Sequence, residues 1–121
     1  VGSGLPTGLA WYSGDDGLVL PFLSIGAVGI IAVIAHVASN PRQQLVQAFD
    51  RGDITTARRL ANQLAPLVHA LNGDGYQAVM AKAALKVKGV IPSTTMRLPN
   101  IGPDATQLDK AEEGMRAAGL L

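Results

Sequence analysis

The sequence predicts an α/β fold in which two parallel strands of a larger sheet or barrel precede a helical C-terminal region. A long uncharged stretch near the start divides into a strand, a helix and a second strand. Such a βαβ unit takes about 30 residues, and its strands are parallel. The rest of the chain has the apolar spacing of successive helices. Two strands alone would each keep an unpaired edge, so we expect more of the sheet, or another chain, to supply the missing strands.

The uncharged stretch, residues 17–41, is long enough for a membrane span, which needs about 20 apolar residues. However, a proline, a serine and two glycines interrupt it, and no basic cluster or aromatic pair flanks both of its ends. These interruptions favour the strand–helix–strand interpretation. A small membrane protein anchored by this stretch stays as an alternative hypothesis.

Within the stretch, residues 10–13 contain Trp and Tyr and are predicted as the first strand. Asp15 or Asp16 is expected to cap a helix over residues 16–25, which Gly26 ends. Residues 29–35 are β-branched and apolar on both alternating faces. They are predicted as a second strand that is covered on both sides.

Four helices are predicted after the second strand. Asn40 is the expected N-cap of the first, with Pro41 in its first position and Gly52 at its end. Asp53 is expected to cap the second, whose apolar residues keep helical spacing for about five turns and which Pro66 should bend.

The third helix covers residues 76–88, and the fourth runs from near Pro103 to Gly119 with an i,i+4 pair between Glu112 and Arg116. Residues 90–103 contain three prolines and are expected to be extended.

Composition narrows the classes of function. Apolar residues make up 48% of the 121 residues and charged residues 16%, against an average charged share of about 25%. Much of the surface is therefore expected to be covered by something else. A net charge of +1 disfavours a nucleic-acid partner. The absence of cysteine excludes disulfides and thiolate metal sites, and it fits a cytoplasmic location. The first residues do not resemble a signal peptide, and the missing initiator Met suggests a processed or truncated chain.

Four short motifs carry a family resemblance: "YSGDD" at 12–16, "GIIAV" at 29–33, "MRLPNIGP" at 96–103 and the closing "AAGLL". In order and spacing they resemble the C-terminal part of the 4-hydroxy-tetrahydrodipicolinate synthase (dihydrodipicolinate synthase) family. The resemblance covers essentially all of this chain. It covers only the C-terminal portion of the family's (β/α)8 TIM barrel, namely the last two parallel strands and the helical region that follows.

The resemblance implies a class I lyase of lysine biosynthesis through diaminopimelate. Such enzymes hold pyruvate as a Schiff base on a lysine and condense it with aspartate semialdehyde to 4-hydroxy-tetrahydrodipicolinate. They are cytoplasmic homotetramers, and the resemblance implies no cofactor, no metal and no membrane partner. The family's lysine and proton-relay residues precede the matched region, so no catalytic residue is expected here and the chain alone is expected to be inactive. Gly14, which ends the seventh strand, and Ile31, in the eighth, match positions whose backbone carbonyls face the bound pyruvate.

Some positions depart from the family's usual pattern. Ala32 stands where Ser is frequent, His36 where Asn is frequent, and residues 73–85 replace a stretch that often contains Asn-Pro. An N-acetylneuraminate-lyase-like aldolase of the same superfamily therefore stays open as an alternative. So does a non-enzymatic interaction module formed by the helices from Asp53 onward. The expected division is residues 1–52 for the last two β/α units and 53–121 for the helical region.

Other chemistry-bearing residues have simpler interpretations. Asp15 and Asp16 are a candidate catalytic pair, but adjacent acids before a helix more often cap it. His36 and His69 lack the companion ligands of a metal site. The lysines at 82, 86 and 88 lie on or near the polar side of an amphipathic helix, where a solvated role is expected. A Schiff-base role for Lys82 would require a desolvated pocket.

Overall fold

A computed structural model describes residues 8–73 and 75–121 of the chain. A 3₁₀ turn at Asp16–Leu18 leads into the first helix. The other elements, in chain order, are β1 (Tyr12–Ser13), α1 (Val19–Ser24), β2 (Gly29–Ile30), α2 (Ala35–Asp50), α3 (Ile54–Asn72), α4 (Gln77–Val87) and α5 (Ala105–Ala117).

The two strands are parallel neighbours joined by a helix, as predicted, but β1 covers only Tyr12–Ser13 of the predicted residues 10–13. Tyr12 pairs with Gly29 and Ser13 with Ile30. The Asp15 carboxylate caps the 3₁₀ turn by accepting a 2.8 Å hydrogen bond from the Gly17 amide. Gly26 ends the connection with a φ of 102°, a conformation that favours glycine. Across the described parts of the chain, no helix combines the length and apolarity that a membrane crossing requires.

The prediction of a strand over residues 29–35 is wrong beyond Ile30. The chain leaves the sheet at Ile31, and α2 begins at Ala35. The amides of Val33 and Ile34 donate to the Asp16 carboxylate, 3.0 and 3.2 Å away, so they are not available to a strand ladder. Ile34 is fully buried among the helices. A short apolar run does not by itself distinguish a strand from a buried loop.

The helix after β2 starts earlier than the predicted N-cap, Asn40. It begins at Ala35 and has a kink at Ala38, where φ is −131° and ψ is 34°. Pro41 follows in the first turn beyond the kink, where its missing N–H leaves no helical hydrogen bond unmade. Lys88 Nζ donates to the Val37 carbonyl at 2.6 Å, next to the kink. The prediction therefore located the second segment of this helix and missed its first turn.

The last three helices lie where the sequence predicts them. Asp53 caps α3, and α4 ends before Gly89, whose φ is 75°. Asp104 and Gln107 form a capping box at the start of α5, and Glu112 pairs with Arg116. The helix α3 continues through Pro66, and its bend stays a prediction. A shared core joins these helices to the start of α2 and includes Ile34, Val37, Leu64, Leu67, Leu71, Met80, Ala111 and Met115.

The Asp53 cap provides a pH-dependent test of this region. The Thr56 amide donates to Asp53 Oδ1 at 3.0 Å, and this bond lowers the pKa of Asp53 below its ordinary value of 3.8. The stabilisation by the charged form is therefore complete above the ordinary pKa and is lost as the pH falls through the lower, folded pKa. We expect Asp53→Ala to lower the melting temperature near neutral pH. Asp53→Asn still accepts the hydrogen bond, and its difference from wild type should vanish in strong acid. Thermal melting followed by circular dichroism checks this, and a difference that persists in acid would contradict it.

Candidate functional site

The two predicted binding positions meet at one edge of the strand pair. Gly14 directly follows β1, and Ile31 directly follows β2. The Ile31 amide donates to the Ser13 carbonyl at 2.9 Å, which holds the two chain segments side by side. Gly14 is exposed, and the Ile31 side chain is 76% exposed. The structure thus brings both residues to the carboxyl end of the strands.

Within residues 8–73 and 75–121, the helices cover only one face of the strands. Ser13 is buried on that face, and Ile30 packs there against the apolar cluster of Val19, Leu23 and Leu45. Since side chains alternate along a strand, Tyr12 lies on the opposite face. It is 52% exposed, and its ring lies over Gly29, where an added Cβ would be 3.1 Å from the ring. The opposite face is therefore apolar and open among the described residues.

A tight turn holds the backbone around Gly14. The Ser13 hydroxyl donates to the Asp15 carbonyl at 3.0 Å, and the Asp15 amide donates to the oxygen of the same hydroxyl at 3.2 Å. Gly14 itself lacks a positive φ, and a Cβ added there would have no described atom within 4 Å. Neither backbone conformation nor packing within the described residues therefore requires glycine at this position.

Behind this edge lies a group of three polar side chains, Asp16, Arg42 and Asn72, which we call the Asp16 cluster. Asp16 is 2% exposed, and its Oδ2 accepts from the Val33 and Ile34 amides and, at 3.2 Å, from Asn72 Nδ2. Its Oδ1 accepts from Arg42 Nη2 at 3.0 Å. The same Arg42 nitrogen donates to the Asp16 carbonyl at 2.9 Å. One carboxylate therefore connects the loops that follow β1 and β2 with the helices α2 and α3.

The cluster places an ion pair almost entirely out of solvent. Burial lowers the pKa of Arg42, while the charge of Asp16 and its hydrogen bond act in the opposite direction. Arg42 Nε and Asn72 Oδ1 are buried and have no hydrogen-bond partner among the described atoms. Because such burial costs solvation energy, the presence of the pair is weak evidence for a net gain in stability.

Sequence reasoning missed this cluster. Asp15 caps the turn as expected, but its neighbour Asp16 turns inward to Arg42, 26 positions along the chain. One signal was present: Arg42 is the first charged residue after the uncharged stretch that begins right after Asp16. An acid before an apolar run and the first cation after it are candidates for a buried pair.

Lys82, Lys86 and His36 each lie within hydrogen-bond distance of a backbone carbonyl. Lys82 Nζ donates to the Thr95 carbonyl at 2.6 Å, and Lys86 Nζ donates to the Pro92 carbonyl at 2.7 Å. Both bonds fasten the segment between α4 and α5 to α4. His36 Nδ1 lies 2.8 Å from the Val33 carbonyl. Within residues 8–73 and 75–121, no group of three or more His, Cys, Asp or Glu side chains is arranged to hold a metal ion.

Comparisons with known proteins give a consistent result. The sequence model of the dihydrodipicolinate synthetase family matches residues 4–118. A 4-hydroxy-tetrahydrodipicolinate synthase of Bifidobacterium longum (strain DJO10A) is 97% identical over 115 residues, which are 95% of this chain and 38% of that protein. The chain thus spans well under half the length of the curated relatives that it matches.

Solved structures agree in fold. The 4-hydroxy-tetrahydrodipicolinate synthase from Methylacidiphilum fumariolicum SolV superposes with a TM-score of 0.85 at 33% identity, over 95% of this chain and 38% of that one. A monomeric dihydrodipicolinate synthase variant superposes with a TM-score of 0.86 at 26% identity, over 93% of this chain and 37% of that one. Since the family match covers nearly the whole chain, the chain belongs to the dihydrodipicolinate synthetase family.

Proposed function

We propose that this chain is the C-terminal part of a pyruvate-dependent lyase that condenses pyruvate with aspartate semialdehyde to 4-hydroxy-tetrahydrodipicolinate. Residues 1–52 would supply the last two β/α units of a (β/α)8 barrel, and residues 53–121 the helical region. The observation that carries the proposal is the open carboxyl edge where Gly14 and Ile31 lie side by side. In barrels of this class the active site lies at that edge.

The strand pair has room for a neighbour on each side. The Trp11 and Ser13 carbonyls accept from the amides of Val28 and Ile31, so these groups point between the strands. Backbone groups of alternate residues point to opposite sides of a strand, so those of Tyr12 point to the outer edge of β1. Those of Ile30 point to the outer edge of β2 for the same reason. A closed barrel supplies a strand to both edges, and its interior would cover the exposed Tyr12 and Ile31.

The chemistry at the edge suits a pocket wall. Glycine allows backbone to approach a ligand closely, and Gly14 has no other role among the described residues. A Schiff base of pyruvate carries a protonated nitrogen during the reaction. Carbonyl oxygens at Gly14 and Ile31 would present negative partial charge toward it, as preorganised dipoles do in active sites.

The nucleophile would come from outside this chain. Its lysines are at 82, 86, 88 and 110, all in or at the end of α4 and α5. Lys82, Lys86 and Lys88 donate to backbone carbonyls. A Schiff-base lysine needs a lowered pKa in a dry pocket beside the substrate. The chain alone is therefore proposed to be inactive, and no cofactor is proposed.

We also propose that the complete protein is a cytoplasmic homo-oligomer. Only 16% of the residues are charged, which supports the proposal that part of the surface is covered in the complete protein.

A trapping experiment tests the proposed function. We define a full-length hybrid in which this chain replaces the matched segment of the Bifidobacterium longum relative. With pyruvate and borohydride, the hybrid is expected to gain one pyruvate-derived adduct, on a residue outside this chain. The isolated chain is expected to keep its mass. Mass spectrometry measures both, and samples without pyruvate are the control. A hybrid that stays unmodified, or an adduct on Lys82, would contradict the proposal.

A further inference from the structure

We infer that Asp16 is a positioning residue, which holds the Ile31 carbonyl in register with the Gly14 carbonyl so that both can contact pyruvate. The inference rests on the proposed function. In this inference the Asp16 cluster preorganises the pocket wall. The side chains of the cluster are not themselves placed in contact with substrate.

The two carbonyls are fixed in different ways. On the β1 side, the Ser13 hydroxyl spans Gly14 through its two bonds to Asp15, so this turn is held locally. On the β2 side, the Ile31 amide is bonded to Ser13, but the Ile31 carbonyl belongs to the next peptide. That peptide leads directly to the amides of Val33 and Ile34, both of which donate to Asp16 Oδ2.

The path from Asp16 to the pocket wall is short. Asp16 lies two residues after Gly14, and Val33 lies two residues after Ile31. Two residues span at most about 7 Å. If the Asp16 carboxylate moved, the short segment between Val33 and Ile31 could not absorb the displacement, and Ile31 would move as well. The strand ladder ends at Ile30, so no further strand pairing of β1 with β2 fixes this segment.

The remaining members of the cluster fix Asp16 itself. Arg42 Nη2 donates both to the Asp16 carboxylate and to its carbonyl, which sets the side chain relative to its own backbone. Asn72 adds a bond from the end of α3. The helices α2 and α3 therefore set the position of both loops at the carboxyl edge. Fixed positioning of this kind matters because small displacements of binding groups are costly to a reaction.

Paired variants of the full-length hybrid separate positioning from charge. Asp16→Ala with Arg42→Met removes the acceptor for the two amides and leaves no buried unpaired charge. We expect it to raise the KM for pyruvate by about tenfold, with the KM for aspartate semialdehyde changed by less than about twofold. Asp16→Asn with Arg42→Gln retains an acceptor and a neutral hydrogen bond, and it is expected to restore the pyruvate KM to within about threefold of wild type.

A purely structural role would lower the fraction of folded enzyme, and thus kcat, without changing the KM for pyruvate alone. Asp16→Glu gives a second variant that keeps the ion pair but moves the carboxylate by one methylene, and it should also raise the pyruvate KM. An unchanged pyruvate KM in both Asp16→Ala/Arg42→Met and Asp16→Glu would overturn the inference. An equal rise of both KM values would also do so. A hybrid that fails to trap pyruvate at all would instead overturn the proposed function, and this inference with it.

Discussion

Replacement of Arg42 by methionine is expected to destabilise the protein by about 3–5 kcal/mol, because it leaves the Asp16 carboxylate buried without its counter-charge. The Asp16 side chain is 1% exposed and that of Arg42 is 5% exposed, so water does not compensate for the lost partner. The amides of Val33 and Ile34 still donate to the carboxylate, but they carry only partial charge. Methionine fills much of the volume of arginine, so the loss is assigned to charge more than to a cavity.

The exposed pair between Glu112 and Arg116 is the matched control. Its 2.6 Å distance is shorter than the 3.0 Å of the buried pair, but its side chains are 43% and 64% exposed. Arg116→Met should therefore cost only about 0.3–0.5 kcal/mol. Native-state hydrogen exchange of α2 and α3 in the full-length hybrid measures both effects. Asp16→Asn with Arg42→Gln should recover most of the larger loss. Similar losses for Arg42→Met and Arg116→Met would refute the argument from burial.

The helical region was predictable because its signals are local. Asp53 and Asp104 cap the helices that directly follow them, and glycines with positive φ follow α4 and α5. Apolar spacing along α3 identifies the buried side, including Leu60, Leu64 and Leu67. Each of these features depends on residues within a few positions of one another.

The parallel strand pair was also predictable, but the end of its second strand was not. The β-branched residues after Ile30 fit a strand by propensity, yet Val33 and Ile34 donate to a carboxylate 17 and 18 positions away. A tertiary contact of this kind overrides local preference. The early start of α2 has a related origin, since Ile34 is buried in the helical core and not in a sheet.

The candidate site also has a part that the sequence predicts and a part that it does not. That Gly14 and Ile31 lie together follows from two parallel strands that end at one edge. Asp16 is buried while Asp15 caps a turn. Their sequence positions do not predict this difference, because either of two adjacent acids before a helix can serve as its N-cap. Only the fold, which brings Arg42 and Asn72 to Asp16, distinguishes them.

Close packing of α3 against α5 predicts a second large effect, at Gly114. A Cβ added to this buried glycine would be 2.5 Å from the Ala70 Cβ, 3.3 Å from the Pro66 carbonyl oxygen and 3.5 Å from the Leu67 Cα. None of these atoms can move by rotating a side chain, so the helices themselves must separate.

Gly114→Ala is therefore expected to destabilise the protein by about 1–3 kcal/mol through overpacking. The opposite sign would hold in an isolated helix, where alanine is favoured over glycine by about 1 kcal/mol. The sign of the change thus reports on the contact between α3 and α5. Adding Ala70→Gly removes the shortest contact, and the double variant should recover part of the loss. Hydrogen exchange of the slowest amides in α3 and α5 measures both variants in the full-length hybrid. If Gly114→Ala is stabilising, α5 does not lie on α3 as closely as the structure has it.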